Sequence, residues 1–156
     1  MRARYAVLVA IVAAVTLASV AAAGPDSEKQ RMAIVMTGLP DGKFDLSPFQ
    51  LGAVKSDSGT TAVDISGPKV VMQGGQSVEI YHNTFTLKGK LGTLTIQDRT
   101  EWVDAGGPYV GRGVWKLVHG TGQYAEVTAN GRSASAGLKR ATGAWFVRDE
   151  GYFSAR

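Results

Sequence analysis

The sequence predicts an all-β fold, a single antiparallel barrel of about eight strands behind an N-terminal signal peptide. Three observations carry that expectation. Twenty glycines interrupt a chain of 156 residues at short intervals. Between them stand short β-branched and aromatic runs bounded by Gly, Pro, Asp and Asn, which is how strands and their turns read. Beyond the leader, no window of about a dozen residues holds the 3.6-residue apolar period of a helix.

The leader comes first. Arg2 and Arg4 give a positive start, Val7 to Val20 is almost wholly apolar, and Ala21-Ala22-Ala23 offers small residues before Gly24-Pro25. Charge, a short apolar core and a small-residue exit make a secretory signal pattern. The rival is a retained anchor, because Tyr5 to Ala23 approaches the ~20 residues that span a bilayer. Its alanine-rich, weakly apolar composition and its exit site favour cleavage. The expected organisation is residues 1–23 as signal peptide, 24–31 as a polar arm and 32–156 as the barrel domain, secreted or held in the cell envelope. No cysteine is present for lipid attachment, and Arg2 and Arg4 are not adjacent, so neither the lipoprotein nor the twin-arginine route is suggested.

Without cysteine there are no disulfide staples, so stability must come from packing and sheet closure. The formal charge is +4, with Lys and Arg scattered and never in a run. That pattern gives neither a nucleic-acid surface nor a polybasic membrane patch, and no membrane contact is expected after signal cleavage.

The expected strands are Met32–Thr37, Phe49–Lys55, Ala62–Ile65, Lys69–Met72, Val78–Lys88, Leu91–Val103, Val110–His119, Tyr124–Ala129, Ser133–Leu138 and Ala144–Arg148, with a last one over Tyr152–Ser154. Pro40-Asp41-Gly42, Gly74-Gly75 and Gly106-Gly107-Pro108 are turns.

Val78 to Val103 is the most informative stretch. Gly89 to Gly92 reads as a hairpin turn, and a loop of two or four residues places Phe85, Leu87, Leu94 and Ile96 on one face. Thr84, Thr86, Thr93 and Thr95 then form a ladder on the other. The same alternation, carried toward the open end of the hairpin, selects Glu79, Tyr81 and Asn83 on one arm and Asp98, Thr100 and Trp102 on the other. The inward face therefore turns from apolar to polar. Burying an acid or amide without a partner costs a few kcal/mol, so this end is either open to water or lines a cavity.

Val114-Trp115-Lys116-Leu117-Val118-His119 then runs into Gly120-Thr121-Gly122-Gln123-Tyr124-Ala125 and on through Glu126-Val127-Thr128-Ala129-Asn130-Gly131. This resembles the strand–GTGxYA–strand signature of the allene oxide cyclase-like and dirigent-like β-barrels, and of small exported bacterial proteins that share it. The resemblance spans about Val78 to Ser135. Glu126 and Ala129 stand where members often carry glycine. The resemblance implies an eight-stranded antiparallel barrel, often oligomeric, in which Gly120 and Gly122 form a positive-φ turn and Tyr124 sets its ring in the wall. Cyclase members isomerise an unstable fatty-acid epoxide, and dirigent members guide phenolic radical coupling. No motif here matches either catalytic set, so no catalytic residue is carried over.

Other chemistries find little support. Gly120-x-Gly-x-x-Ala125 has the letters of a dinucleotide fingerprint but lacks a following helix. His82 and His119 are the only histidines, in no metal-ligand spacing, so no metal site and no cofactor are expected. His82 shares parity with Thr84 and faces solvent, and His119 stands at a strand end. No Gly-x-Ser-x-Gly elbow is present. Trp115 shares parity with Gly111, Gly113 and Leu117, while Arg112 and Lys116 take the other face, so Trp115 points inward. The acids to watch are Glu79 and Asp98, one of which could have a raised pKa and act as an acid or base if both face a barrel mouth.

The expected function is a binding module whose mouth accepts a small apolar or aromatic ligand, lined by Glu79, Tyr81, Asn83, Asp98, Thr100 and Trp102 with Trp115 deeper. Two rivals remain open at this point: an allene oxide cyclase-like isomerase, and a non-catalytic structural or envelope-interaction barrel with a filled interior.

Overall fold

A computed structural model describes residues 29–38, 42–138 and 145–155. The expected signal peptide and most of the expected N-terminal arm lie outside the described residues. The described chain is all β. Its strands are β1 (Lys29–Thr37), β2 (Gly42–Pro48), β3 (Asp57–Gln73), β4 (Gln76–Gly89), β5 (Thr93–Asp104), β6 (Pro108–Gly120), β7 (Val127–Leu138) and β8 (Trp145–Ala155), with one 3-10 turn at Gly122–Tyr124. Each strand pairs antiparallel with the next, and β1 pairs with β8 from Lys29↔Ser154 to Thr37↔Phe146. One sheet thus closes into a ring and leaves no free first or last strand.

The central hairpin has the expected register. Phe85 faces Ile96 and Leu87 faces Leu94 across β4 and β5, and all four are buried. The Gly89 N–H donates to the Gly92 carbonyl at 2.9 Å, which closes the four-residue form of the turn. Thr86 faces Thr95 on the other side. Inside the ring these residues join Met32, Ile34, Met36, Phe44, Leu46, Trp115 and Phe153 in one apolar core.

Several boundaries differ from expectation. Phe49–Lys55 is a loop, not a strand. Leu51 is 99% exposed, and only Val54 turns inward. The Gln30 side chain, on β1, holds the loop instead of a ladder. It accepts from the Val54 N–H at 2.9 Å and donates to the Val54 carbonyl at 2.8 Å. The second strand is Gly42–Pro48, where Phe44 and Leu46 alternate inward with Lys43, Asp45 and Ser47 outward. β1 begins at Lys29, inside the expected arm and three residues before the expected domain start at Met32.

Three pairs of expected short strands are single long ones. Ala62–Ile65 and Lys69–Met72 belong to β3, whose pairing with β4 shifts between Ser66 and Lys69. The segment Ser133–Leu138 is continuous with residues 127–129 through Asn130-Gly131 in β7. Ala144–Arg148 and Tyr152–Ser154 meet in β8 through Gly151, Ala144 itself lying outside the described residues. In β8 the glycine-containing segment keeps its ladder because both neighbouring strands continue past it, whereas β3 runs through its shift on β4 alone.

Tyr124 is not in the wall. It sits in the 3-10 turn and is fully buried, plugging the end of the ring where β4 meets β5 and β6 meets β7. Gly122 does take a positive φ of 60°. Gly120 does not, and glycine is required there for another reason: a Cβ would collide with the Tyr124 backbone.

Candidate functional site

The two ends of the ring interior are built differently. At the Tyr124 end the buried acid is matched. Asp57 accepts from the backbone N–H groups of Ser58, Lys90 and Leu91 and from the Tyr124 hydroxyl. Burial alone would raise the Asp57 carboxyl. The Leu91 N–H, the Tyr124 hydroxyl and the Ser58 and Lys90 N–H groups together outweigh it and hold the acid below its ordinary value. Burial first, and the bond to Asp57 second, hold the Tyr124 hydroxyl above its ordinary value.

The opposite half of the interior carries acids, hydroxyls and indoles. β4 and β5 bring Asn83 opposite Asp98, Tyr81 opposite Thr100 and Glu79 opposite Trp102. Of the expected mouth residues, Tyr81, Asn83, Asp98, Thr100, Trp102 and Trp115 are all buried, and Glu79 is half-buried. Asn83 Nδ2 donates to Asp98 Oδ1 at 2.8 Å, and Trp102 Nε1 donates to Thr100 Oγ1 at 3.1 Å. The Tyr81 hydroxyl donates to Glu79 Oε2 at 2.8 Å. His82 is exposed on the outer face of β4, and His119 is exposed at the end of β6.

Following the pairing round the ring shows what lies across from these residues. Asp98 leads to Trp115, Gly131 and Gly151 on β6, β7 and β8. Thr100 leads to Gly113, Ser133 and Asp149, and Trp102 leads to Gly111, Ser135 and Val147. The inward side of β6 and β7 is therefore made mostly of Gly and Ser, and large rings lie over it. The Trp102 indole covers Gly111, where an added Cβ would come within 2.7 Å of the ring. It reaches Trp145, with the ring centroids 5.2 Å apart in an edge-to-face arrangement. Trp115 covers Gly151 and packs on Phe153 at 5.9 Å.

Asp149, with Ser133 and Ser135, is what the sequence reading missed. It is 0% exposed, against 5% for Asp98. The alternation Val147, Asp149, Gly151, Phe153 was available as a signal, but Asp149-Glu150-Gly151 reads as a turn when taken alone.

The two acids are strongly perturbed. Burial pushes Asp98 up to about 6, against the pull of its Asn83 hydrogen bonds. Burial pushes Asp149 up to about 8. The neighbouring charge of Asp98 adds to the rise, and the Ser133 hydroxyl opposes it. Ser133 is the cross-strand neighbour of Asp149, yet no hydrogen bond of ordinary geometry joins them. Among the described residues, Asp98 Oδ2, both carboxyl oxygens of Asp149, the hydroxyls of Ser133 and Ser135, and Trp115 Nε1 are buried without a hydrogen-bond partner. Thr61 Oγ1, on β3, is in the same condition. Near neutral pH such a pair offers one mainly ionised and one mainly protonated carboxyl, able to accept and donate hydrogen bonds or to move a proton.

No group of three or more His, Cys, Asp or Glu side chains among the described residues is arranged to hold a metal ion. Comparison with known proteins finds no matching family model, no matching curated protein and no matching solved structure.

Proposed function

We propose that the protein is an exported β-barrel binding module that takes a small ligand with an apolar or aromatic body into the acid-bearing half of its interior. The observation behind this reading is the set of buried, unpartnered polar atoms on Asp98, Asp149, Ser133, Ser135 and Trp115. Folded interiors pair nearly all such groups, because each one left unpaired costs about 1–3 kcal/mol. A cluster of them beside three indoles is what a ligand with a polar head would satisfy. The Tyr124 end is plugged, so entry is from the Trp102–Trp145 end. The Gly120–Ala125 resemblance supports the barrel architecture, and the N-terminal leader supports export.

Native mass spectrometry of the protein recovered from a secreting bacterial host tests the reading. A reproducible added mass of about 100–500 Da, lost on denaturation, is the expected result for a drug-sized occupant. A clean mass that stays clean after incubation with mixed lipids, phenolics and amines would favour a filled structural or envelope-interaction barrel. The same spectrum checks the leader, since cleavage after Ala23 makes Gly24 the first residue.

A second reading, an isomerase of the allene oxide cyclase-like type, draws on the paired acids. Two carboxyls pushed to different protonation states are the equipment of general acid–base chemistry. In that case Asp98→Asn and Asp149→Asn should each abolish turnover of the identified ligand while leaving the fold intact. Full turnover in both variants would remove the acids from the chemistry.

A further inference from the structure

The chemistry of the ligand's head can be taken further, resting on the binding reading above. Asp98 and Asp149 bring two carboxyl groups into one buried region, and Ser133 and Ser135 add hydroxyl oxygens beside them. No described Lys or Arg is buried. Each lies on the outer face or in a turn, so among the described residues no internal cation balances the acids. Arg148 and Arg31, adjacent in sequence or pairing to this region, are engaged outside the ring with Glu150 at 2.7 and 2.9 Å. Every unpartnered oxygen there can accept, the two serine hydroxyls can also donate, and the Trp115 N–H can only donate. Next to them stand the indoles of Trp102, Trp145 and Trp115, whose faces attract a cation and cover an apolar stem.

We propose that this interior site takes a protonated primary amine on a short aromatic or alkyl stem, with its ammonium set between Asp98 and Asp149. An ammonium supplies three N–H donors and one positive charge, which answers both the surplus of acceptors and the missing counter-charge. An anionic head would meet two acids with no cation to offset them. A neutral hydroxyl would satisfy fewer acceptors and leave the charge unbalanced. Apolar residues filling the space would leave the acceptors buried and unpaired. Ser133 and Ser135 present small side chains at this level of the wall.

The test uses the purified protein with 2-phenylethylamine, n-hexylamine, 2-phenylethanol and phenylacetate, followed by calorimetry and tryptophan fluorescence at neutral pH. Expected are binding of at least one amine roughly tenfold or more tighter than the alcohol, and no measurable binding of phenylacetate. Asp149→Asn should weaken the amine by roughly tenfold or more and the alcohol by clearly less. Alcohol or phenylacetate binding as tightly as the amines would overturn the amine assignment and leave the binding module standing. So would failure of both amines alongside a neutral or anionic mass retained in native spectra. If no probe binds and the native mass is clean, the amine assignment and the binding module fall together. The wild-type comparison of amine with alcohol decides the matter even if Asp149→Asn does not fold.

Discussion

The Tyr124 hydroxyl donates a 2.9 Å hydrogen bond to Oδ2 of Asp57, 67 residues away along the chain. That bond ties the turn between β6 and β7 to the first residue of β3, and Asp57 also ties in the β4–β5 turn through the Lys90 and Leu91 N–H groups. One carboxylate therefore gathers three connections at one end of the ring.

Removing either partner should loosen that end. Tyr124→Phe is expected to cost about 1–2 kcal/mol, as for a hydrogen bond to a charged acceptor. Asp57→Ala should cost roughly 3 kcal/mol or more, because it strands several donors at once. Urea denaturation near neutral pH measures both. Asp57 is depressed below its ordinary value of 3.8, so its contribution is present above that value and is lost as pH falls through the lower, folded one. The deficit of Tyr124→Phe should accordingly shrink in acid, and a deficit constant with pH would rule out this account.

The acids at the other end have the opposite sign. Asp149 binds its proton up to about 8 in the folded chain, against an ordinary 3.8. Between those values the folded state holds a proton that the unfolded state has released, so stability falls as pH rises, by ~1.4 kcal/mol per unit for one fully differing proton. Asp98, raised to about 6, steepens the lower part of that range. Melting temperature should drop steadily from mildly acidic to mildly alkaline conditions. Asp149→Asn should flatten the curve and stand above the wild type on the alkaline side.

The indole layer depends on missing side chains. Gly111→Ala would bring a methyl within 2.7 Å of the Trp102 ring and should force it off Trp145. The expected cost is about 1–3 kcal/mol, as for other overpacked sites. Near-ultraviolet circular dichroism should lose the signal of the indole pair. An unchanged spectrum would mean that Trp102 does not rest on β6.

Ser133 and Ser135 separate ligand binding from stability. Their hydroxyls are buried and unpartnered, so Ser133→Ala with Ser135→Ala should leave the melting temperature unchanged or slightly higher. Affinity for an amine should fall at the same time. A double variant that is destabilised by 2 kcal/mol or so would show that these hydroxyls already have structural partners.

The hairpin of β4 and β5 was legible because its apolar and polar residues alternate without a break on both sides of a Gly-rich turn. That alternation also placed Asn83, Tyr81, Asp98, Thr100 and Trp102 on the inner face. β2 was hidden by its neighbours: Phe49 and Leu51 look more strand-like than Lys43 to Ser47, yet Leu51 has nothing to pair with. Asp149 was hidden for a related reason. Asp-Glu-Gly suggests a turn locally, and only the uninterrupted pairing of β8 with both β7 and β1 keeps it extended. Long-range pairing here overrides the local turn letters.

The pairing of β1 with β8 also sets an order of events. Every other ladder joins strands adjacent in the chain and can form as soon as its second member appears. The closing ladder joins residues near 30 to residues near 150, so it must wait for β8. Asp149 rides on that strand. The open sheet therefore keeps this acid hydrated and charged, and burying and protonating it belong to the final closure. Contacts of such long sequence separation form slowly, and alkaline conditions should slow this one further, because the carboxylate must take up its proton before the ring can shut.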